Sequence, residues 1–280
     1  MSVALVWFRR DLRLQDNPAL QAALDAGHDV VPVYIHAPHE EGDWAPGAAS
    51  NAWRNRSLAA LDADLRARGS SLVLRAGDSL LTLQALIDQT GAEAVYWNRK
   101  YEPATQPRDA AIKRTLREQG IDAQSCNGSL LFEPWDIATQ QGQPYKVFTP
   151  YWRNVLSHWR LPALQAAPET LPAHTVDSLA LDTLQLAPTL HWDTGFWELW
   201  QPGESGALEA LSVFEDGGLR GYREQRDLPD RVGTSRLSPH LHFGEIAPWR
   251  IAHALEGLRS AGTDADIDGY LRQLGWRDFA

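Results

Sequence analysis

Short, uninterrupted apolar runs alternate with amphipathic stretches along the first part of the chain, and this alternation leaves few folds open. The runs are Val3-Ala4-Leu5-Val6-Trp7, Val30 to Ile35, Ser71-Leu72-Val73-Leu74, Ala94-Val95-Tyr96-Trp97 and a weaker Ile121-Asp122-Ala123. After the first, Asp16-Asn17-Pro18 supplies a capping side chain and a first-turn proline, so a helix starts there. Leu58, Leu61 and Leu65 recur at helical spacing in a second helix, across about residues 50 to 68. Two more helices are predicted over Leu80 to Gln89 and about 104 to 119. Strands that are apolar throughout must be covered on both faces, and short strand–helix links call for parallel pairing. The expected fold is α/β: a five-stranded parallel sheet with right-handed crossovers and helices on both faces. No GxGxxG follows the first run, so the usual dinucleotide fingerprint is absent.

Between roughly 160 and 204 the texture changes. Pro162, Pro168, Pro172, Pro188 and Pro202 among scattered Ser and Thr predict a long connection over the surface. Its Trp192, Phe196, Trp197 and Trp200 predict that it is docked rather than free. From Gly206 onward the signals are helical, at about 206–214, 218–225, 239–245, 248–259 and 265–280.

Lys and Arg number 26 against 36 Asp and Glu, a formal net charge of -10. That excludes a protein coating nucleic acid with its whole surface, because such affinity comes from neutralising phosphates. A local basic patch stays open. Cys126 is the only cysteine, which excludes an intrachain disulfide and a cysteine-rich metal site. The opening MSVALVWFRRDLRL puts its charges after a very short apolar run, the reverse of a signal peptide. No window approaches the roughly 18 apolar residues of a membrane span. A cytoplasmic chain is expected. The 12 Trp residues must mostly serve packing, and the surplus favours a site that stacks flat rings.

The segment Gly233-Thr234-Ser235-Arg236-Leu237-Ser238-Pro239 carries the most chemistry. Ser238-Pro239 reads as a helix start with Ser as cap. Hydroxyls, free backbone N–H groups and the positive helix end suit a diphosphate. An over-capped helix on a polar loop reads equally well from these residues alone. Upstream, Arg220, Arg223 and Arg226 share one face of a predicted helix, diluted by Glu224, Asp227 and Asp230. In the last helix Ile267, Leu271 and Leu274 form an apolar stripe. Tyr270, Gln273, Trp276 and Arg277 follow a neighbouring one that suits a cleft for flat rings and phosphates, or an amphipathic edge. His240 and His242, two apart, face different ways, so no metal site is expected. GxSxG, HExxH, Walker and CxxC patterns are absent.

Four segments together resemble the DNA photolyase/cryptochrome family, and among its members the class I cyclobutane pyrimidine dimer photolyases. They are Val6-Trp7-Phe8-Arg9-Arg10-Asp11-Leu12-Arg13-Leu14 with Asp16-Asn17, then Tyr145-Lys146-Val147-Phe148-Thr149-Pro150-Tyr151. The others are Tyr222 to Asp227 with Gly233 to Pro239, and Leu271 to Phe279. The resemblance implies a Rossmann-like photolyase-type α/β domain over 1–130 and an interdomain connection over 131–204. The first part of an all-α FAD-binding domain follows over 205–280, truncated relative to the family. Tyr222, Thr234, Ser235, Arg236, Leu237 and Ser238 would hold FAD, with Tyr270 joining from the last helix. Arg226, Gln273, Trp276 and Arg277 would face DNA containing pyrimidine dimers, with Trp276 as the stacking plane. The implied activity is light-driven dimer repair from reduced FAD by a monomer. A cryptochrome-type photoreceptor and an inactive α/β module are the alternatives. A second, antenna chromophore is implied in the N-terminal domain. Ala104-Thr105 stands where folate-binding members carry Asn-Glu, so the folate mode is not carried over. Two further expectations follow from truncation: the apolar stripe of the last helix should be exposed, and the chain should purify largely colourless.

Overall fold

A computed structural model describes residues 2–280. Its sheet has the strand order β3-β2-β1-β4-β5, built from β1 (Val3–Phe8), β2 (Asp29–His36), β3 (Val73–Ala76), β4 (Ala94–Asn98) and β5 (Asp122–Cys126). All four pairings are parallel. The helices between them are α1 (Pro18–Asp25), α2 (Ala48–Arg66), α3 (Ser79–Thr90) and α4 (Thr105–Glu118). Asn17 caps α1 by accepting the Leu20 N–H at 3.2 Å, with Pro18 in the first turn as expected. Asp78 caps α3 in the same way, from the Leu81 N–H at 2.9 Å.

Because strand side chains alternate, each strand feeds two cores. Leu5, Trp7, Val33, Val95 and Trp97 pack against Leu83 and Leu86 of α3 and Ile112 and Leu116 of α4. Ala4, Val6, Phe8, Tyr34 and Tyr96 pack against α1 and against Leu58, Leu61 and Leu65 of α2. Each large side chain so buried contributes about 1.5–3 kcal/mol. Both sheet edges are blocked. The connection lies along β3, where the Leu179 N–H donates to the Leu74 carbonyl at 3.0 Å. On β5, guanidinium groups of Arg117 and Arg99 take the carbonyls of Ala123 and Ser125. Neither edge is left as a template for another strand.

One helix was not legible in the sequence: α5 (Phe148–Ser157), inside the expected connection. Pro150 argues against a helix there, yet it sits in the first turn, where its missing N–H costs nothing. Further on, α6 (Glu204–Val213), α7 (Tyr222–Gln225), α8 (Ser238–Phe243), α9 (Pro248–Glu256) and α10 (Asp264–Phe279) form a helical body. Its core holds Leu211, Phe214, Trp249, Leu255 and the α10 stripe. The expected exposure of that stripe is corrected: Ile267, Leu271 and Leu274 are buried, because the preceding helices already cover them. The single arginine face is corrected too. A wide turn at Phe214–Gly218 and Gly221 at φ 78 leave α7 one turn long, so Arg220 lies outside it. Asp266 of α10 starts α7 by accepting the N–H groups of Gly221 (2.8 Å) and Arg223 (2.9 Å).

The loop Arg9–Asn17 joins the two bodies. Arg13, 1% exposed, donates to the carbonyls of Gly128 (2.8 Å), Gly244 (2.9 Å) and Asp16 (2.7 Å). The Leu14 and Gln15 N–H groups reach the Glu204 carboxylate at 2.8 and 3.0 Å, and Asp16 pairs with Arg250. At Gly244, φ 67, a Cβ would stand 2.0 Å from the Arg10 carbonyl oxygen, so only glycine permits the approach. No described helix is long and apolar enough to cross a membrane.

Candidate cofactor site

A cleft of about 880 Å³ opens where the carboxyl ends of β1 and β4 face α7, the 233–238 loop and α10. Between β1 and β4 the strand order changes direction, the position at which open α/β sheets place ligands. One wall is Arg10, Asp11, Asn98 to Pro103 and Gly128 to Leu130; the other carries Tyr222, Arg226, Thr234, Ser235, Arg236, Ser238, Tyr270, Gln273 and Arg277. Nine of the sequence-predicted site residues thus meet in one place.

The geometry of the loop is specific. Gly233 passes so close to Gln225 that a Cβ would lie 2.6 Å from its backbone. Arg236 is held at φ 54, a region side chains disfavour. Ser235 Oγ lies 2.7 Å from the buried Tyr270 hydroxyl, and the Leu237 N–H donates to Ser235 Oγ at 3.3 Å. Ser235, not Ser238, therefore closes the loop onto α8. The expectation of Ser238 as cap is corrected: it is the first residue of the helix, makes no capping bond and keeps its hydroxyl in the cleft. Tyr222 and Tyr270 meet edge to face at 5.2 Å, and burial raises the pKa of both phenols. Arg226 donates to the Tyr222 hydroxyl at 3.3 Å.

Two predicted residues fall outside the cleft wall. Leu237 is 1% exposed in the helical core. Trp276 stacks on Phe148 with centroids 3.7 Å apart, keeping 42% exposure. At about 100° per residue, Tyr270, Gln273 and Arg277 share a face of α10 that Trp276 leaves. Arg277 also spans the walls, donating to the carbonyls of Ser129 (2.5 Å) and Leu241 (3.4 Å). Next to it the buried Asp278 accepts the Leu131 N–H at 2.6 Å, and burial pushes its carboxyl up to about 7.

The cleft is cationic although the chain is acidic. Arg10, Arg99, Lys100, Arg226, Arg236 and Arg277 line it, against Asp11 and Glu102. Burial, then Arg10 and Arg54, hold His242 down to about 4, so it is a neutral imidazole in the wall. The α/β wall was missed in the sequence because strand ends far apart in the chain supply it; the switch in strand order is the signal that finds it. His240 faces Glu245 at 2.5 Å in the core, while His242 lines the cleft. His39, Glu40 and Asp78 come within 4.8 Å of one another, but Ser79 and Arg108 already engage both Glu40 oxygens.

A family model for DNA photolyase matches residues 4–173. The chain belongs to the DNA photolyase family. It is 43% identical over 278 residues to a deoxyribodipyrimidine photo-lyase of Agrobacterium fabrum, covering 98% of this chain and 57% of that one. It is 36% identical over 292 residues to cryptochrome-1 of Arabidopsis thaliana, covering 99% of this chain and 42% of that one. Its fold matches the crystal structure of a bacterial class III photolyase from Agrobacterium tumefaciens with a TM-score of 0.94 and 42% identity, over 100% of this chain and 58% of that one. The chain thus spans little more than half the length of the photolyases it matches.

Proposed function

We propose that the cleft holds FAD and that the whole protein repairs cyclobutane pyrimidine dimers in DNA with light. The observation that carries this is the convergence of Thr234, Ser235, Ser238, Arg226 and Arg236 on one cation-lined cleft. The donor set fits a diphosphate: hydroxyls and guanidinium groups side by side in one wall, on a backbone that Gly233 packs against Gln225. The volume also lies within the usual 300–1,000 Å³ or so of a cofactor site. Bound there, FAD would supply light-driven one-electron chemistry.

This chain's residues then have separate tasks. Thr234, Ser235 and Ser238 would donate to phosphate oxygens, and Arg236 would neutralise them. Leu237 fixes the loop from below, and Tyr222 and Tyr270 seal it from water. Gln273 and Arg277, with Arg226, face DNA at the rim. Trp276, backed by Phe148, offers a plane for a dimer that has left the stack. Extrusion is cheapest for a lesion that stacks badly, and the aromatic plane replaces part of what is lost. Separate cores in the sheet body and the helical body support a division near 130 and 204. A cytoplasmic monomer is part of the same proposal. A second chromophore finds no room of ring size in the crevice at the β1–β2 end, which measures about 30 Å³.

The cryptochrome reading draws on Trp276 itself, which lies outside the cleft wall and is already stacked. The deciding experiment illuminates the FAD-loaded protein with a dimer-containing oligonucleotide and measures restored pyrimidines. Repair at catalytic turnover is expected. Full flavin occupancy with no repair selects the photoreceptor, and no flavin binding by the whole protein removes the cleft assignment.

A further inference from the structure

The crevice at the carboxyl ends of β1 and β2 is small, about 30 Å³, room for one or two water-sized atoms. Its wall is basic: Arg9, Arg10, Arg54, Lys100 and Arg108, against Glu41 alone. Glu41 is shared by Arg10 and Lys100, each at 3.0 Å. Arg108 is met by Glu40 and Asp109, and Arg9 by Asp109. Arg54 differs. It is 4% exposed, lies near the Tyr34 hydroxyl, and among the described residues it has no carboxylate within 4.0 Å. A buried guanidinium that faces Glu41 only from beyond ion-pair distance, with Arg10 and Lys100 already on that carboxylate, is costly.

Three donors in the same wall also lack an acceptor: Nε1–H of Trp7 and the Nε–H groups of Arg9 and Arg10. Trp7 is 1% exposed and Arg9 7%. Buried donors are normally satisfied by protein, water or an ion. A water could take two of these N–H groups, yet it would leave the charge of Arg54 unanswered. A bound anion answers both deficits at once. Lys100, held down to about 8 chiefly by burial and by Arg10, reports the same surplus of positive charge.

We propose that this crevice binds a small monovalent inorganic anion of halide size, held by Arg54 and the free N–H groups of Trp7, Arg9 and Arg10. Arg10 and Lys100 also line the large cleft, so the ion would fix two of the cleft's own cations in place.

Bromide is the probe. Thermal unfolding is followed while sodium bromide replaces sodium acetate at constant ionic strength, and crystals grown in bromide are measured at the bromine edge. Tm should rise and saturate with bromide, with an anomalous peak in the crevice. Trp7→Phe, which loses one donor, should need several-fold more bromide for half the effect. Arg54→Met should be more stable than the parent in acetate and indifferent to bromide, since the unpaired charge is gone. If Arg54→Met does not fold, the Trp7→Phe titration and the anomalous map decide alone. A Tm blind to anion identity, or bromine peaks only at the outer surface, overturns the proposal.

Discussion

Arg236 shows why the 233–238 loop is more than a polar link. Its φ of 54 costs a side chain about 1–2 kcal/mol relative to glycine, and nothing in the packing of an exposed residue repays it. Strain kept at an exposed arginine in a cleft points to a ligand. Arg236→Gly should therefore raise stability by about 1 kcal/mol in denaturant titrations while lowering FAD affinity. Equal FAD affinity in parent and variant would remove Arg236 from the phosphate contacts. Trp276 allows a second separation. Trp276→Ala should weaken dimer-containing DNA by about 1–3 kcal/mol, one aromatic–base stack, and leave undamaged DNA and flavin content unchanged. The stack on Phe148 is the competing role, worth about 0.5–1.5 kcal/mol of packing. If packing is all that Trp276 does, both DNA affinities and the flavin-to-protein ratio fall together.

At the scale of elements, what was legible depended on whether neighbours in sequence supplied the signal. The five strands and α1 to α4 are where apolar runs and local caps such as Asn17 place them. α5 was hidden because Pro150 reads as a breaker without knowledge of which turn it occupies. The start of α7 was misjudged because the side chain that caps it, Asp266, comes from another helix. The α10 stripes were legible as stripes, but which of Trp276 and Arg277 enters the cleft depends on helical phase. α10 also carries a carboxylate whose titration reaches neutrality. Asp278 is raised from an ordinary 3.8 to about 7 by burial, against the opposing pull of Arg277 and the Leu131 and Phe132 N–H groups. The folded state thus holds a proton that the unfolded chain has already lost, so stability falls as pH rises from about 4 to 7. Asp278→Asn should flatten that part of the pH–stability profile. An unchanged slope between pH 4 and 7 would show that Asp278 is not the group.

For the whole molecule, the cleft exists only because two bodies are held at one distance, and the sequence does not reveal that holding. WFRRDLRL stood out as a motif, but not the role of its third arginine: Arg13 is buried and ties the carbonyls of Gly128 and Gly244 to its own loop. Burial lowers its pKa, opposed by Asp11, Glu204 and Asp16, so the carboxylates around it keep the charge in place. Arg13→Lys keeps the charge but not the planar fork, and an ammonium cannot reach Gly128 and Gly244 together. Each buried carbonyl left without a donor costs about 1–3 kcal/mol. The sheet cores and the helical core lie to either side of this contact and do not depend on it for their own packing. Calorimetry on Arg13→Lys should therefore show the parent's single transition split in two, the helical body melting first because its core draws on fewer and shorter elements. Other ties remain, among them Glu204 to Leu14 and Gln15, Asp16 to Arg250, the Leu12 N–H to the Phe243 carbonyl at 3.2 Å and the Trp53 Nε1–H to Glu245 at 2.9 Å. If they suffice, the variant melts in one transition at lower temperature, and Arg13 is a local brace. If Arg13 is the staple, the two bodies part, and the Lys variant loses FAD affinity although every residue of the phosphate loop is intact.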